Sequence, residues 1–121
     1  MPAPSRFARQ KAEARGRLAE LAAAWLLRLK GYRILAERFQ AKGGEIDIVA
    51  RKGGVLVFVE VKLRRDLETA RLAVTDGNQR RIRSAADAWL ARHERRADVP
   101  LRYDIAAVSP RGLRHIKDAF R

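Results

Sequence analysis

The stretch GEIDIVARKGGVLVFVEVK, residues 44–62, constrains the fold more than any other part of the chain. Its β-branched and aromatic residues lie on both sides of Gly53-Gly54, a pair that supplies the positive φ of a tight turn. The stretch therefore predicts two strands, EIDIVAR and VLVFVEVK, joined as a hairpin. If the two glycines are the loop, Lys52 pairs with Val55. Asp47 then stands opposite Glu60, and Glu45 opposite Lys62. Ile46, Ile48 and Ala50 face Val61, Val59 and Val57, giving a wholly apolar face that has to be covered, because a one-residue slip would turn all of it to solvent. On the other face Val49, Leu56 and Phe58 lie toward the turn, with the acids and Lys62 toward the open end.

The remaining chain supplies covering elements. Residues 7–30 read as a helix that stops at Gly31, a residue able to take the left-handed C-cap conformation. Leu18, Leu21, Ala22, Trp25 and Leu29 form one apolar stripe, and Ala23, Ala24 and Leu27 make the other side apolar, so this helix is expected to be largely buried. YRILAERF reads as a first strand, and Gly43-Gly44 breaks the pattern. Residues 63–75 are charged and lack a clear period, which predicts a mobile loop. Asp76 and Gln79 resemble a capping box opening a helix with Ile82, Ala85, Ala86, Trp89 and Leu90 on its apolar face. LRYDIAAV is a further strand, and LRHIKDAF follows the SPRG turn as a possible last one. The expected architecture is α/β, in the order α-β-β-β-α-β(-β). With 121 residues and 47% hydrophobic content, a single domain over residues 1–121 can bury a core. About residues 1–6 are expected to be a flexible basic N-terminus.

Lys and Arg number 27 against 14 Asp and Glu, a net charge of +13. A polyanion is the first partner to consider, nucleic acid ahead of membrane, though solvated arginine-rich surfaces are common. No cysteine occurs, which excludes disulfides, thiolate metal sites and a cysteine nucleophile. The longest apolar run, LAAAWLL, is far shorter than the roughly 20 residues of a membrane span. The first residues lack the apolar segment of a secretory signal, and Glu13 and Glu20 count against a transit peptide. A cytoplasmic location is the expectation, with no membrane partner.

Opposed side chains in an antiparallel pair sit about 5 Å apart at Cβ, and like charges there repel. Asp47 and Glu60 need compensation by a shared proton, a nearby arginine or lysine, or a divalent cation. A hard cation such as Mg²⁺ accepts two carboxylates and keeps positions for water and phosphate oxygens, which suits phosphodiester hydrolysis. Lys62 would sit beside it, placed to position water or neutralise developing charge. The hairpin and the charge alone leave a second reading open, in which Glu45 pairs with Lys62, an arginine neutralises the acids, and the face is simply solvated.

Asp47, then Glu60-Val61-Lys62 on the next strand, with Glu20 on a preceding helix, resembles the PD-(D/E)xK nuclease superfamily, in particular archaeal Holliday-junction resolvases. Over about residues 16–120 the chain resembles more closely the YraN-like family of small bacterial proteins, through GYRIL, GEIDIVA, LVFVEVK, RYDIAAV and HIKDAF. The resemblance implies a restriction-endonuclease-like fold, a mixed sheet flanked by helices. It implies Mg²⁺ (or Mn²⁺) held by Asp47, Glu60 and the carbonyl of Val61. Lys62 is implied as the catalytic lysine, Glu20 as an auxiliary acid, and Glu45 as an acid behind the metal or a partner of Lys62. The expected function is Mg²⁺-dependent endonuclease action on DNA, branched or structured DNA included, with DNA favoured over RNA. The alternative is a nucleic-acid-binding protein of the same fold that does not cut. A homodimer is compatible with either. Where the family favours asparagine and arginine after the first strand this chain has Arg38 and Gln40, and where it often has lysine on the second helix this chain has Asn78. Those departures bear on auxiliary substrate contacts and leave the metal-binding set intact.

Arg64 and Arg65 in KLRRD, and Arg80, Arg81, Arg83 and Gln79 on the second helix, are candidate nucleic-acid contacts, since arginine clamps phosphate oxygens with two donors. His93 and His115 have no metal-ligand spacing and read as structural histidines. Trp25 and Trp89 read as core packing.

Overall fold

The computed structural model describes residues 5–96 and 98–121. In chain order the elements are α1 (Arg6–Leu29), β1 (Arg33–Ala41), β2 (Gly44–Lys52), β3 (Val55–Leu63), α2 (Leu67–Leu72), α3 (Asp76–His93), β4 (Leu101–Ser109) and β5 (Gly112–Phe120). The strands form one five-stranded sheet in the order β1-β2-β3-β4-β5. Neighbours are antiparallel except β3 and β4, which run parallel because the connection between them carries two helices. This is the expected α/β architecture, a mixed sheet with helices on both faces. Among the described residues no helix is long and apolar enough to cross a membrane.

α1 and α3 each cover one apolar face of the sheet. Ala23, Ala24 and Leu27 of α1 pack with Tyr32, Ile48, Ala50, Val57, Val59 and Ala106. Ile82, Ala85, Ala86 and Trp89 of α3 pack with Val49, Leu56, Phe58, Ile105 and Phe120. Each large side chain so buried stabilises the fold by about 1.5–3 kcal/mol. The hairpin has the register that its glycines dictate. Lys52 pairs with Val55 and the ladder runs to Ile48 and Val59, with Gly53 at φ 57° and Gly54 at φ 82°.

Several expectations need correction. Residues 1–4 of the expected flexible N-terminus lie outside the described residues; Ser5 caps α1, accepting a hydrogen bond from the Ala8 amide at 3.0 Å. The stripe on α1 is not buried: Leu18 is 64% exposed, Trp25 61% and Leu29 83%, and it is the alanine side that meets the sheet. Within residues 63–75, expected as a mobile loop, Asp66 caps the short α2 by accepting from the Thr69 amide at 2.8 Å. The cap of α3 is Thr75, which accepts from the Asn78 amide, one residue before the expected capping box.

Ile46 departs from the hairpin pattern. It joins the α3 side while Ile48 and Ala50 face α1, so strand alternation fails at Asp47. Glu37 and Phe39 of β1 pair with Ile48 and Ile46, and Arg38 between them has φ 55°. That conformation is uncommon for a residue with a Cβ. It turns the β1–β2 ribbon over at Asp47.

Gly44, at the start of β2, lies against α3. A Cβ there would stand 2.3 Å from the Arg81 carbonyl oxygen, an atom of helix backbone that cannot rotate away. Gly44→Ala is therefore expected to lower stability by about 1–3 kcal/mol or more, as overpacking does, read as a lower urea midpoint. An unchanged midpoint would show that the helix yields freely here.

Candidate active site

β2 and β3 part beyond the Ile48–Val59 pair, and a side chain takes over where the ladder stops. The Val61 amide donates to Asp47 Oδ2 at 2.8 Å. This bond fixes Asp47 against β3, next to Glu60.

The Glu60 side chain is 11% exposed. Burial, followed by hydrogen bonding to Asp47 and repulsion from it, pushes the Glu60 carboxyl up to about 9; Lys62 pulls it down and Glu45 adds to the rise. Lys62 Nζ stands 3.8 Å from Glu60 Oε1. The single nearby ammonium does not offset two carboxylates, so near neutral pH Glu60 keeps its proton.

The pair opens on a cavity of about 650 Å³ bordered by Glu20, Asp47, Glu60, Val61 and Lys62. Arg64 and Arg65 stand on the same cavity. Residues from four separated stretches of the sequence thus meet at one end of the sheet, beside α1. Glu20 reaches the cavity but its carboxylate accepts from Arg38 Nε at 2.7 Å. The same guanidinium also feels Asp47 and Glu45. Glu45 is set apart, on a small surface pocket with Gln40 and Arg81, and the carboxylate partner of Lys62 is Glu60.

The candidate contacts on α3 are not brought to this cavity. Arg80 and Arg81 border a different pocket with Thr75 and Asn78. Arg83 lies over the Phe120 ring and donates to the Gln79 side-chain oxygen at 3.4 Å, while Gln79 itself donates to the Val74 carbonyl. Arg15, Gly16 and Pro110 are among the cavity residues that the sequence reading did not propose for the site. Arg15 and Gly16 had a signal, since they lie one helical turn before Glu20. Pro110 had none, because it arrives through the parallel β3–β4 pairing, in which Leu63 aligns with Val108. Of the two histidines, His93 stacks on Trp89 with ring centroids 3.8 Å apart, and His115 is held by the buried Asp104.

Two carboxylates and a main-chain carbonyl are hard oxygen donors of the kind Mg²⁺ and Mn²⁺ take. Among the described residues no group of three or more His, Cys, Asp or Glu gathers around one point.

Residues 19–108 match the model of the uncharacterised protein family UPF0102. The chain is 54% identical over 111 residues to a UPF0102 protein of Rhizobium meliloti strain 1021, covering 91% of each. It is 54% identical over 113 residues to one from Rhizobium johnstonii, covering 93% of each. To one from Rhodopseudomonas palustris strain BisA53 it is 51% identical over 120 residues, covering 98% of this chain and 90% of the relative. With Glu20, Asp47, Glu60 and Lys62 all inside the matched region, the chain belongs to the uncharacterised protein family UPF0102, the YraN-like family that its strand motifs resemble.

Proposed function

We propose that the protein is a Mg²⁺-dependent endonuclease that hydrolyses phosphodiester bonds in DNA, branched or structured DNA included. The observation that carries this reading is the convergence of Asp47 and Glu60 on an accessible cavity, where burial and Asp47 push the Glu60 carboxyl up. A buried acid pair that must hold a proton is one that a divalent cation can occupy in the proton's place. Asp47, Glu60 and the Val61 carbonyl would hold the ion, which supplies Lewis acidity and charge neutralisation at the phosphate. The Val61 amide keeps Asp47 in position. Lys62 offers an ammonium beside Glu60 to orient water or neutralise charge developing on the phosphoryl oxygens. Arg64 and Arg65 bind flanking phosphates.

A second reading, a binding module that does not cut, is favoured by one observation: Glu20 is engaged by Arg38, a residue that departs from the family preference. The two separate on linear, nicked and four-way DNA incubated with Mg²⁺ or Mn²⁺. The nuclease reading expects cleavage abolished by EDTA and reduced by at least about 100-fold in Asp47→Ala and in Glu60→Ala. Cleavage that survives both substitutions would assign it to a contaminant and overturn the site. The binding reading expects no cleavage, affinity falling steeply with salt, and indifference to EDTA.

A further inference from the structure

The first half of α1 stands off the body of the protein. Every residue from 6 to 18 is exposed except Gly16, which is partly shielded, and core packing begins at Ala19. The helix side that meets the sheet at Ala19, Ala23 and Ala24 continues toward the amino end as Gly16 and Ala12, at helical spacing. Beneath these two residues lies the acid cavity instead of the sheet. Ala12, Arg15 and Gly16 border it from α1, while Leu63, Arg64, Arg65 and Pro110 border it from the strand ends.

Gly16 is not demanded by packing. A Cβ there would meet nothing within 4 Å, and the backbone has no positive φ. In a helix interior glycine is nevertheless costly relative to alanine. What it provides is room, at a position of α1 that borders the cavity beside Asp47 and Glu60. The surroundings fit a polyanion: Arg6, Arg9, Lys11, Arg15 and Arg17 on the first turns of α1 against Glu13, and Arg64 and Arg65 across the gap. A cavity of about 650 Å³ holds on the order of one or two nucleotides, the scale on which single-strand sites grip backbone and base.

We infer that this cleft admits one strand of DNA, gripped by its phosphates between Arg15 of α1 and Arg64 and Arg65 after β3, and that Gly16 determines this specificity by keeping the cleft open. The inference rests on the nuclease reading for the role of the acids, but binding tests it independently. Bound phosphate also accounts for the basic free-standing turns, since isolated helical segments of this length are marginal in water and like charges on them repel.

The test is fluorescence anisotropy of a labelled single-stranded oligonucleotide and of the matching blunt duplex, in EDTA across a salt series. Wild type is expected to bind the single strand at least about 10-fold tighter than the duplex. Gly16→Trp is expected to weaken single-strand binding by at least about 10-fold while duplex binding, which is electrostatic and outside the cleft, changes by less than about 3-fold. Gly16→Ala, which adds one methyl group to the cleft, is expected to weaken single-strand binding measurably but by less than Gly16→Trp does. Arg15→Ala with Arg64→Ala lowers the slope of log K against log salt for the single strand by about 0.7 per lost phosphate contact, a readout that does not depend on tolerance of a tryptophan. Equal affinity for strand and duplex, wild-type binding by Gly16→Trp with its thermal midpoint unchanged, or an unaltered salt slope overturns the inference. If no metal supports cleavage yet Gly16→Trp loses the single strand, the hydrolytic reading fails and the cleft stands. If Gly16→Trp cuts single-stranded DNA as wild type does, the cleft fails and the hydrolytic reading stands.

Discussion

Metal-free protein is expected to lose stability as pH is raised from about 5 to 9, by up to about 1.4 kcal/mol per unit. The cause is Glu60, whose carboxyl is pushed up to about 9 in the folded protein by burial and by Asp47, against about 4.3 in an unfolded chain. Between those values the native state holds a proton that the unfolded state has released. Stability therefore falls as pH rises through this window, and is level where both states hold the proton or neither does. Urea unfolding in EDTA at pH 6 and pH 8 is expected to differ by roughly 2–3 kcal/mol in wild type. Glu60→Gln, which cannot ionise, removes that difference. If the acid pair holds the proposed ion, Mg²⁺ or Mn²⁺ should restore stability more at pH 8 than at pH 6, because an ion bound to the folded state stabilises it by mass action and must displace the proton to bind. A wild-type slope that persists in Glu60→Gln would place the titrating group elsewhere and remove the acid pair from the argument.

Much of the fold was legible because two local devices dominate it. Gly53 and Gly54 fix a two-residue turn, and with the turn the register from Lys52–Val55 to Ile48–Val59 follows. The alternation of Val57 and Val59 with Leu56 and Phe58 then assigns two apolar faces, and each is covered. What periodicity could not say is which side of α1 is covered. Alanines bring a helix closer to a sheet than leucine or tryptophan allow, so Ala19, Ala23 and Ala24 went inward and Leu18, Trp25 and Leu29 stayed out. The six-residue α2 was missed because one and a half turns leave no period to detect. The turnover at Asp47 was missed because nothing in an arginine announces the positive φ that Arg38 adopts.

The acids were legible for the same reason as the hairpin, since register alone brings Asp47 to the end of β3 that carries Glu60 and Lys62. Their contact is nevertheless of another kind than strand pairing. The strands have already separated, and Asp47 is held by the Val61 amide through its side chain. The basic candidates divided by layer. Arg64 and Arg65 leave β3 at the cavity, whereas Arg80, Arg81 and Arg83 ride on α3, which packs on the other face of the sheet from α1. Composition gives all five the same weight; only the placement of the two helices separates them.

Asp104→Ala is expected to destabilise the protein by about 3–5 kcal/mol, the cost of leaving buried charge without its partner. In an apolar strand, RYDIAAV, this aspartate is 0% exposed. Arg102 grips it with two bonds of 2.8 Å. His115 Nε2 approaches at 2.6 Å and the Asp118 amide at 2.9 Å. Asp118 adopts φ 52° and interrupts the β4–β5 register opposite Asp104, so its amide points at the carboxylate instead of along the ladder. Because an ionised carboxylate only accepts, His115 Nε2 carries a hydrogen and Nδ1 accepts from the Lys30 ammonium at 2.5 Å. Arg102 in turn donates to the Tyr32 hydroxyl at 2.5 Å. The carboxylate thus ties β4 and β5 to the carboxyl end of α1, the helix whose other end borders the acid cavity. Burial pushes the Asp104 carboxyl up, but hydrogen bonds from His115, Arg102 and the Asp118 amide outweigh it and hold it at about 2. With about 3.9 in the unfolded chain, its contribution is present above pH 4 and is lost as pH falls toward 2, by up to about 2.6 kcal/mol. Urea midpoints of wild type and Asp104→Ala at pH 7 measure the first effect. For the second, Asp104→Asn keeps the shape and removes the ionisation, so the part of the acid loss between pH 4 and 2 that belongs to Asp104 should be missing from it. A midpoint within about 1 kcal/mol of wild type for Asp104→Ala would mean that Arg102 and His115 find water when the carboxylate is gone, and that α1 is held by its alanine packing alone.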